Sequence, residues 1–149
     1  NAEVTAVNKS HFTLKLVAQS PYSSEQVWKK LLKPESWWQS SHTYSGDAGN
    51  LTIEAKAGGY WREDWEGGSV LHGTILNIQE NKLLRLSAPF GPLQELAVET
   101  VWTITLSPTD TGTKITFDFI ANGNQESELD KLASAVNYVK GEALKNLAK

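Results

Sequence analysis

Residues 127–148 constrain this chain most. Leu129, Leu132, Ala133, Val136, Val139, Ala143, Leu144 and Leu147 recur there at steps of three and four, which lays them along one stripe of an α-helix. Glu128, Lys131, Asn137, Glu142 and Lys145 fall on the opposite side, where they suit solvent. A stripe of that length needs a wide apolar partner, and residues 51–121 read only as strands. The expectation is a long helix held against a curved antiparallel sheet. Lys140 lies near the edge of the stripe, so its stem should follow apolar surface while its ammonium reaches water; a ligand contact is the lesser alternative. Gly141 inside the helix costs about 1 kcal/mol relative to Ala, and nothing in the sequence explains it.

Residues 1–10 show no periodicity and read as a loose lead-in. Residues 11–19 alternate, with Phe12, Leu14, Leu16 and Ala18 on one face, as in a half-buried strand. Ser23 and Gln26 have capping-box spacing ahead of Val27, Trp28, Leu31 and Leu32. Pro34 ends that helix, and residues 35–38 make a further turn. A polar loop over residues 39–50 leads to strands at 51–56, 60–66, 69–79, 83–88, 95–107 and 113–121, separated by Gly58-Gly59, Gly67-Gly68, Asn81-Lys82 and other turn formers. One strand, two short helices, six strands at hairpin spacing and a final helix describe a single α+β domain with a seven-stranded antiparallel sheet.

The sheet's inner face should be heavily aromatic. Trp61, Glu63 and Trp65 share one side of their strand, and Leu96, Val98, Thr100, Trp102, Ile104 and Leu106 share a side of theirs. Leu84 and Leu86, then Ile115, Phe117 and Phe119, behave likewise. Six Trp in 149 residues means that something broad and apolar is lined or filled. Solid packing and an enclosed pocket both satisfy this pattern, and solid packing is the commoner arrangement. Glu63 between two Trp would be costly to bury unpaired and would tend to keep its proton. His72 sits beside Val70 and Leu71, with Gly73 as a candidate bulge. The two could orient a ligand's polar end, or be satisfied by other side chains or a wet rim.

Other chemistries find little support. The net charge is −3 without a basic run, which argues against a nucleic-acid surface. No apolar run approaches the roughly 20 residues of a membrane span. Cysteine is absent, excluding disulfides, thiolate metal sites and a thiol nucleophile. His11, His42 and His72 lack paired-ligand spacing, so neither a metal nor another cofactor is expected. His42 and Asp47 could form a base and its orienting group, but a hydrogen-bonded loop is the simpler account, and no serine stands in a nucleophile-elbow context. The glycine pairs precede strands, so they are turns rather than phosphate cradles. No catalytic residue is assigned.

Taken together, Pro21, Val27-Trp28, Leu31, Pro34, Trp37-Trp38, Gly58-Gly59-Tyr60, Gly73-Thr74-Ile75, Leu84-Arg85-Leu86, residues 102–106 and residues 112–116 resemble the START-like (SRPBCC) helix-grip superfamily over residues 11–147. The branch most resembled is that of the heat-shock-protein-90 ATPase activator homologues and polyketide cyclase-like proteins. Residues 37–48 and 90–94 resemble an uncharacterised bacterial subgroup whose members commonly carry a secretion signal. That likeness implies an exported, periplasmic protein with its signal peptide removed, with the cytoplasm as the alternative; the absence of methionine, even at position 1, fits it.

The resemblance implies an apolar cavity between sheet and C-terminal helix. The leading expectation is binding of a small hydrophobic molecule, lipid or polyketide-like, by Trp61, Trp65, Trp102, Phe117, Leu86, Leu132 and Val136. Glu63 and His72 would be its polar groups, and Trp38 and Phe90 its gate. Two alternatives stand beside it. One is a cyclase or hydrolase with Glu63 as general acid or base; the other is a protein-interaction module, which requires an exposed apolar patch.

Overall fold

Eight strands satisfy one another's backbone groups in a single antiparallel sheet of the computed structural model, which describes residues 2–149. In chain order the elements are β1 (Ala2–Asn8), β2 (His11–Ser20), α1 (Ser24–Leu31), β3 (Leu51–Ile53), β4 (Tyr60–Trp65), β5 (Gly68–Gln79), β6 (Leu83–Ser87), α2 (Pro92–Glu95), β7 (Glu99–Thr109), β8 (Gly112–Asn122) and α3 (Ala133–Ala148). The spatial order β1-β2-β8-β7-β6-β5-β4-β3 sets the second strand beside the last. The α+β class, the large antiparallel sheet and the C-terminal helix agree with the sequence-based expectation; the strand count is eight rather than seven.

The additional strand is β1, where a loose lead-in was expected. Its pairing with β2 shifts register between Val4 and Ala6, and Val4 and Val7 are exposed, so its side chains carry no clean alternation. The final helix also begins later than residue 127. Glu128 takes a left-handed conformation (φ 50°) between two 3₁₀ turns, Gln125–Ser127 and Leu129–Lys131. The Leu129 N–H donates to the Lys9 carbonyl (2.8 Å), fastening this segment to the β1–β2 turn. Residues 95–98 are not strand: they hold the end of α2 and Ala97 at φ 58°, and Leu96 is exposed.

Local signals explain the rest. Ser23 and Gln26 form the reciprocal capping box at the start of α1. Trp102 on β7 lies directly opposite Phe119 on β8. β4 and β5 shift register between Trp61 and Arg62, which pair with Gly73 and Leu71 respectively. His72 is therefore the extra residue of a β-bulge and turns inward, buried like Gly73. A Cβ at Gly73 would stand 2.8 Å from the Ser87 carbonyl oxygen, so only glycine fits.

Two different covers close the inner face. α3 lies across β1, β2 and β8, burying Ala133, Lys140, Ala143, Leu144 and Leu147. The segment after α1 covers β3 and β4 and brings Trp37 and Trp38 onto Trp61.

Candidate functional site

Where these two covers meet, they leave a cleft of about 320 Å³, partly open to solvent. Its walls are Trp38 and residues 41–44 on one side, residues 90–93 on another, and Leu132, Ala135, Val136, Val139 and Lys140 of α3 on the third, with His72 completing it. The volume is at the lower end of the roughly 300–1,000 Å³ typical of small-molecule sites, and the lining is mainly apolar, as such sites are.

The loops that form the walls are internally tied. Asp47 accepts from the Gly49 N–H (2.8 Å), Thr43 Oγ1 from the Gly46 N–H (2.9 Å) and Ser40 Oγ from the Ala48 N–H (2.9 Å). The Asp47 carboxylate thus serves as a cap, and the His42 ring packs edge-on to Tyr138 of α3 (6.2 Å). Tyr44 Oη donates to the Gly91 carbonyl (3.2 Å), bridging the two loops. Trp38 Nε1 donates to the His42 carbonyl (3.1 Å), and its ring meets Phe90 at 5.3 Å.

The eleven residues singled out from the sequence divide into groups. Trp38, His72, Phe90, Leu132 and Val136 line the cleft. Trp61, Trp102 and Phe117 belong to a packed aromatic cluster behind it with Trp37, at centroid separations of 5.1–6.5 Å. Leu86 is fully buried in the core beneath. Trp65 lies away from all of these, its ring over Gly68, where a Cβ would come within 2.5 Å of it. The inner face of the sheet is therefore solidly filled, and the opening is displaced to its end.

Glu63 stands behind the wall rather than in it. Its Oε1 accepts from the Tyr44 N–H (3.2 Å) and lies 2.8 Å from His72 Nε2, while Oε2 accepts from the Ser45 N–H (2.6 Å). Burial pushes this carboxyl upward, but the hydrogen bonds from Ser45, His72 and Tyr44 outweigh it and hold it below the usual carboxylate range. The sequence-based expectation of a proton-retaining Glu63 is thereby corrected. An ionised Glu63 accepts the Nε2–H, and burial lowers the affinity of His72 for a second proton despite its partner. His72 is then neutral with a lone pair on Nδ1, a buried atom without a hydrogen-bond partner. Its ring stacks on Phe90 at 4.8 Å.

Lys140 is the residue that pattern reasoning misplaced. It is 2 % exposed rather than reaching water. Nζ lies 4.2 Å from the ring centroids of both Trp102 and Phe119 and 5.4 Å from that of Phe90. No carboxylate pairs with it among the described residues. Burial alone lowers its pKa to about 7. Among the described residues, no cluster of three or more His, Asp or Glu could hold a metal.

The sequence profile of the "Activator of Hsp90 ATPase homolog 1-like protein" family matches residues 21–149. The chain belongs to this family. Solved structures share its fold at low identity. A Rhizobium loti protein superposes with TM-score 0.67 at 18% identity, over 93% of this chain and 95% of that one. A Rhizobium leguminosarum protein gives 0.66 at 16% identity over 99% and 94%, and one from Nitrosomonas europaea 0.61 at 20% over 97% and 96%. A search of curated proteins gives no match. The family's fold is of the START-like helix-grip type, which is compatible with hydrophobic-ligand binding. No helix among the described residues is long and apolar enough to cross a membrane.

Proposed function

We propose that this protein binds a small, mainly apolar molecule with one polar end in the cleft between α3 and the loops at residues 38–44 and 90–93. The observation that carries this reading is Lys140: a buried amine without an anionic partner, placed at the wall of an apolar cavity. A buried charge without a counter-ion costs several kcal/mol, and a Met would fill similar space without that cost. The apolar walls supply affinity, Lys140 and His72 supply orientation, and the lipid or polyketide-like class comes from the resemblance to START-like proteins, with which the apolar lining is compatible. Titration with the fluorescent dye 1-anilinonaphthalene-8-sulfonate tests it. Saturable one-to-one binding that Val136→Trp abolishes is expected; unsaturable binding, or binding indifferent to that substitution, contradicts it.

Catalysis is a second reading, and His72 rather than Glu63 favours it. Glu63 orients the imidazole and leaves Nδ1 as the base. A protein-interaction role has a smaller foothold, a shallow hollow on the outer sheet face beside Leu76, Val101 and Ile120. Export with removal of a signal peptide belongs to the proposal through the likeness of residues 37–48 and 90–94 to exported proteins. Terminal sequencing of protein from its own host checks it, since a retained initiator methionine would contradict it.

A further inference from the structure

We propose that the Lys140 amine is a nucleophile that captures the carbonyl carbon of an apolar aldehyde or ketone in the cleft as a reversible imine. This rests on the cleft being a ligand site, as proposed above, and goes further by naming the ligand's reactive group.

The placement comes first. Lys140 Nζ rests over Trp102 and Phe119, which are cross-strand neighbours on β7 and β8, and the residue forms part of the cavity wall. The aromatic faces position it without donating or accepting a proton. The titratable groups sharing the cavity are His42, Tyr44 and His72, with Glu63 behind His72. No charged group among them contributes to the lowered proton affinity of Lys140, which comes from burial alone. A surface lysine near pKa 10.4 is neutral in well under about 1% of molecules at pH 7, whereas Lys140, at about 7, is neutral in roughly half. A lysine desolvated in an apolar pocket is an established way to make a nucleophilic amine.

The second group is His72. Its bulge position and its bond to Glu63 leave the Nδ1 lone pair without a donor. That lone pair offers a ligand carboxylate no donor, and Nδ1 itself is buried behind the cleft surface. Both His72 and Lys140 lie against Phe90, at 4.8 Å and 5.4 Å respectively. The amine lone pair attacks the carbonyl carbon: a C–N bond forms and the carbonyl π pair moves to oxygen. One proton passes from nitrogen to oxygen, giving a carbinolamine. The C–O bond then breaks, and oxygen leaves as water with the second amine proton, leaving C=N. Nothing is oxidised or reduced, and hydrolysis reverses each step.

The test is reductive trapping with 3-phenylpropanal and sodium cyanoborohydride, read by intact mass and peptide mapping. The expected product is a single adduct, weighing the aldehyde less one oxygen, on Lys140. At pH 7 it should exceed labelling at any other lysine at least tenfold, and it should vanish in Lys140→Met and Lys140→Arg shown to be folded by circular dichroism. Initial labelling of Lys140 should level off above about pH 8 while that of surface lysines keeps rising. Displacement of the fluorescent dye by 3-phenylpropanol and by 3-phenylpropanoate is measured in parallel. If the alcohol binds in the cleft and no Lys140 adduct forms, the imine is overturned and the binding site stands. If the carboxylate binds at least tenfold tighter than the alcohol and no adduct forms, Lys140 is an anion anchor and the imine is again overturned. Adducts spread evenly over surface lysines overturn it too. If neither dye nor alcohol binds and no adduct forms, both readings fall.

Discussion

The two ends of the inner sheet face use space in opposite ways. Beneath the loop at residues 37–38, Trp37, Trp61, Trp102 and Phe117 interlock through edge-to-face contacts and one stacked pair, Trp61 on Trp102, and leave no room for a ligand. The Trp61 and Trp102 indole N–H groups are buried there without partners. At the cleft, walls that do not close include the Lys140 amine, which rests on aromatic faces with no anionic partner, and His72, whose buried Nδ1 has no hydrogen-bond partner. The first arrangement stabilises the fold. The second costs stability, and a cost held by the fold points to function. Glu63 joins the two ends: it is fully buried, but its hydrogen bonds hold the cleft's loop and its imidazole in place.

Substitutions at each end should pull the two regions apart. Trp102→Ala should have the largest effect, about 3–5 kcal/mol of lost stability by urea denaturation, because a packed ring leaves a cavity. Val136→Ala at the cleft should lose no more than about 1 kcal/mol; equal losses would erase the distinction.

Lys140→Met should stabilise the protein by a few kcal/mol near neutral pH. The folded-state pKa of about 7 lies below the unfolded value, so between about pH 7 and 10.4 the unfolded chain holds a proton that the folded chain has released. Wild-type stability therefore rises with pH in that window, and the advantage of Lys140→Met should shrink towards pH 10. Melting temperatures across the range check both the sign and the slope.

Glu63→Gln should cost about 1–3 kcal/mol at pH 7, since an amide cannot accept all the donors that converge there. The carboxyl's folded-state value is depressed, so its contribution is present above the unfolded value of about 4.3 and is lost as pH falls further. The gap between variant and wild type should narrow in acid. Gly141→Ala, next to Lys140 in α3 but with its Cβ directed at Leu16, should gain up to about 1 kcal/mol. The added Cβ would meet only Leu16 Cδ2, at 3.8 Å.

What the sequence made legible follows the reach of each signal. Alternation placed Phe12, Leu14, Ile115 and Phe117 on the inner face, because side-chain direction in a strand has a period of two. The capping box is local and was readable for the same reason. β1 escaped because an edge strand with exposed valines and a register shift has no alternation to find. Residues 127–132 fit the helical stripe, yet Glu128 turns left-handed where the segment bonds back to Lys9, a contact distant in sequence. Trp65 kept its parity with Trp61 but lies over Gly68, since a bulge and a tight turn redirect a strand end. Lys140 was beyond reach because helical periodicity fixes the angle of a residue and says nothing about what lies opposite. Trp102 and Phe119, which define its surroundings, come from two other strands.

The most direct test of a ligand-binding cleft is native mass spectrometry of the protein purified gently from its own host, comparing intact with denatured mass. A bound mass of a few hundred daltons, absent from Val136→Trp, is the predicted result. Bare wild-type protein that also shows no thermal shift with panels of fatty acids, polyketides and apolar aldehydes would contradict it.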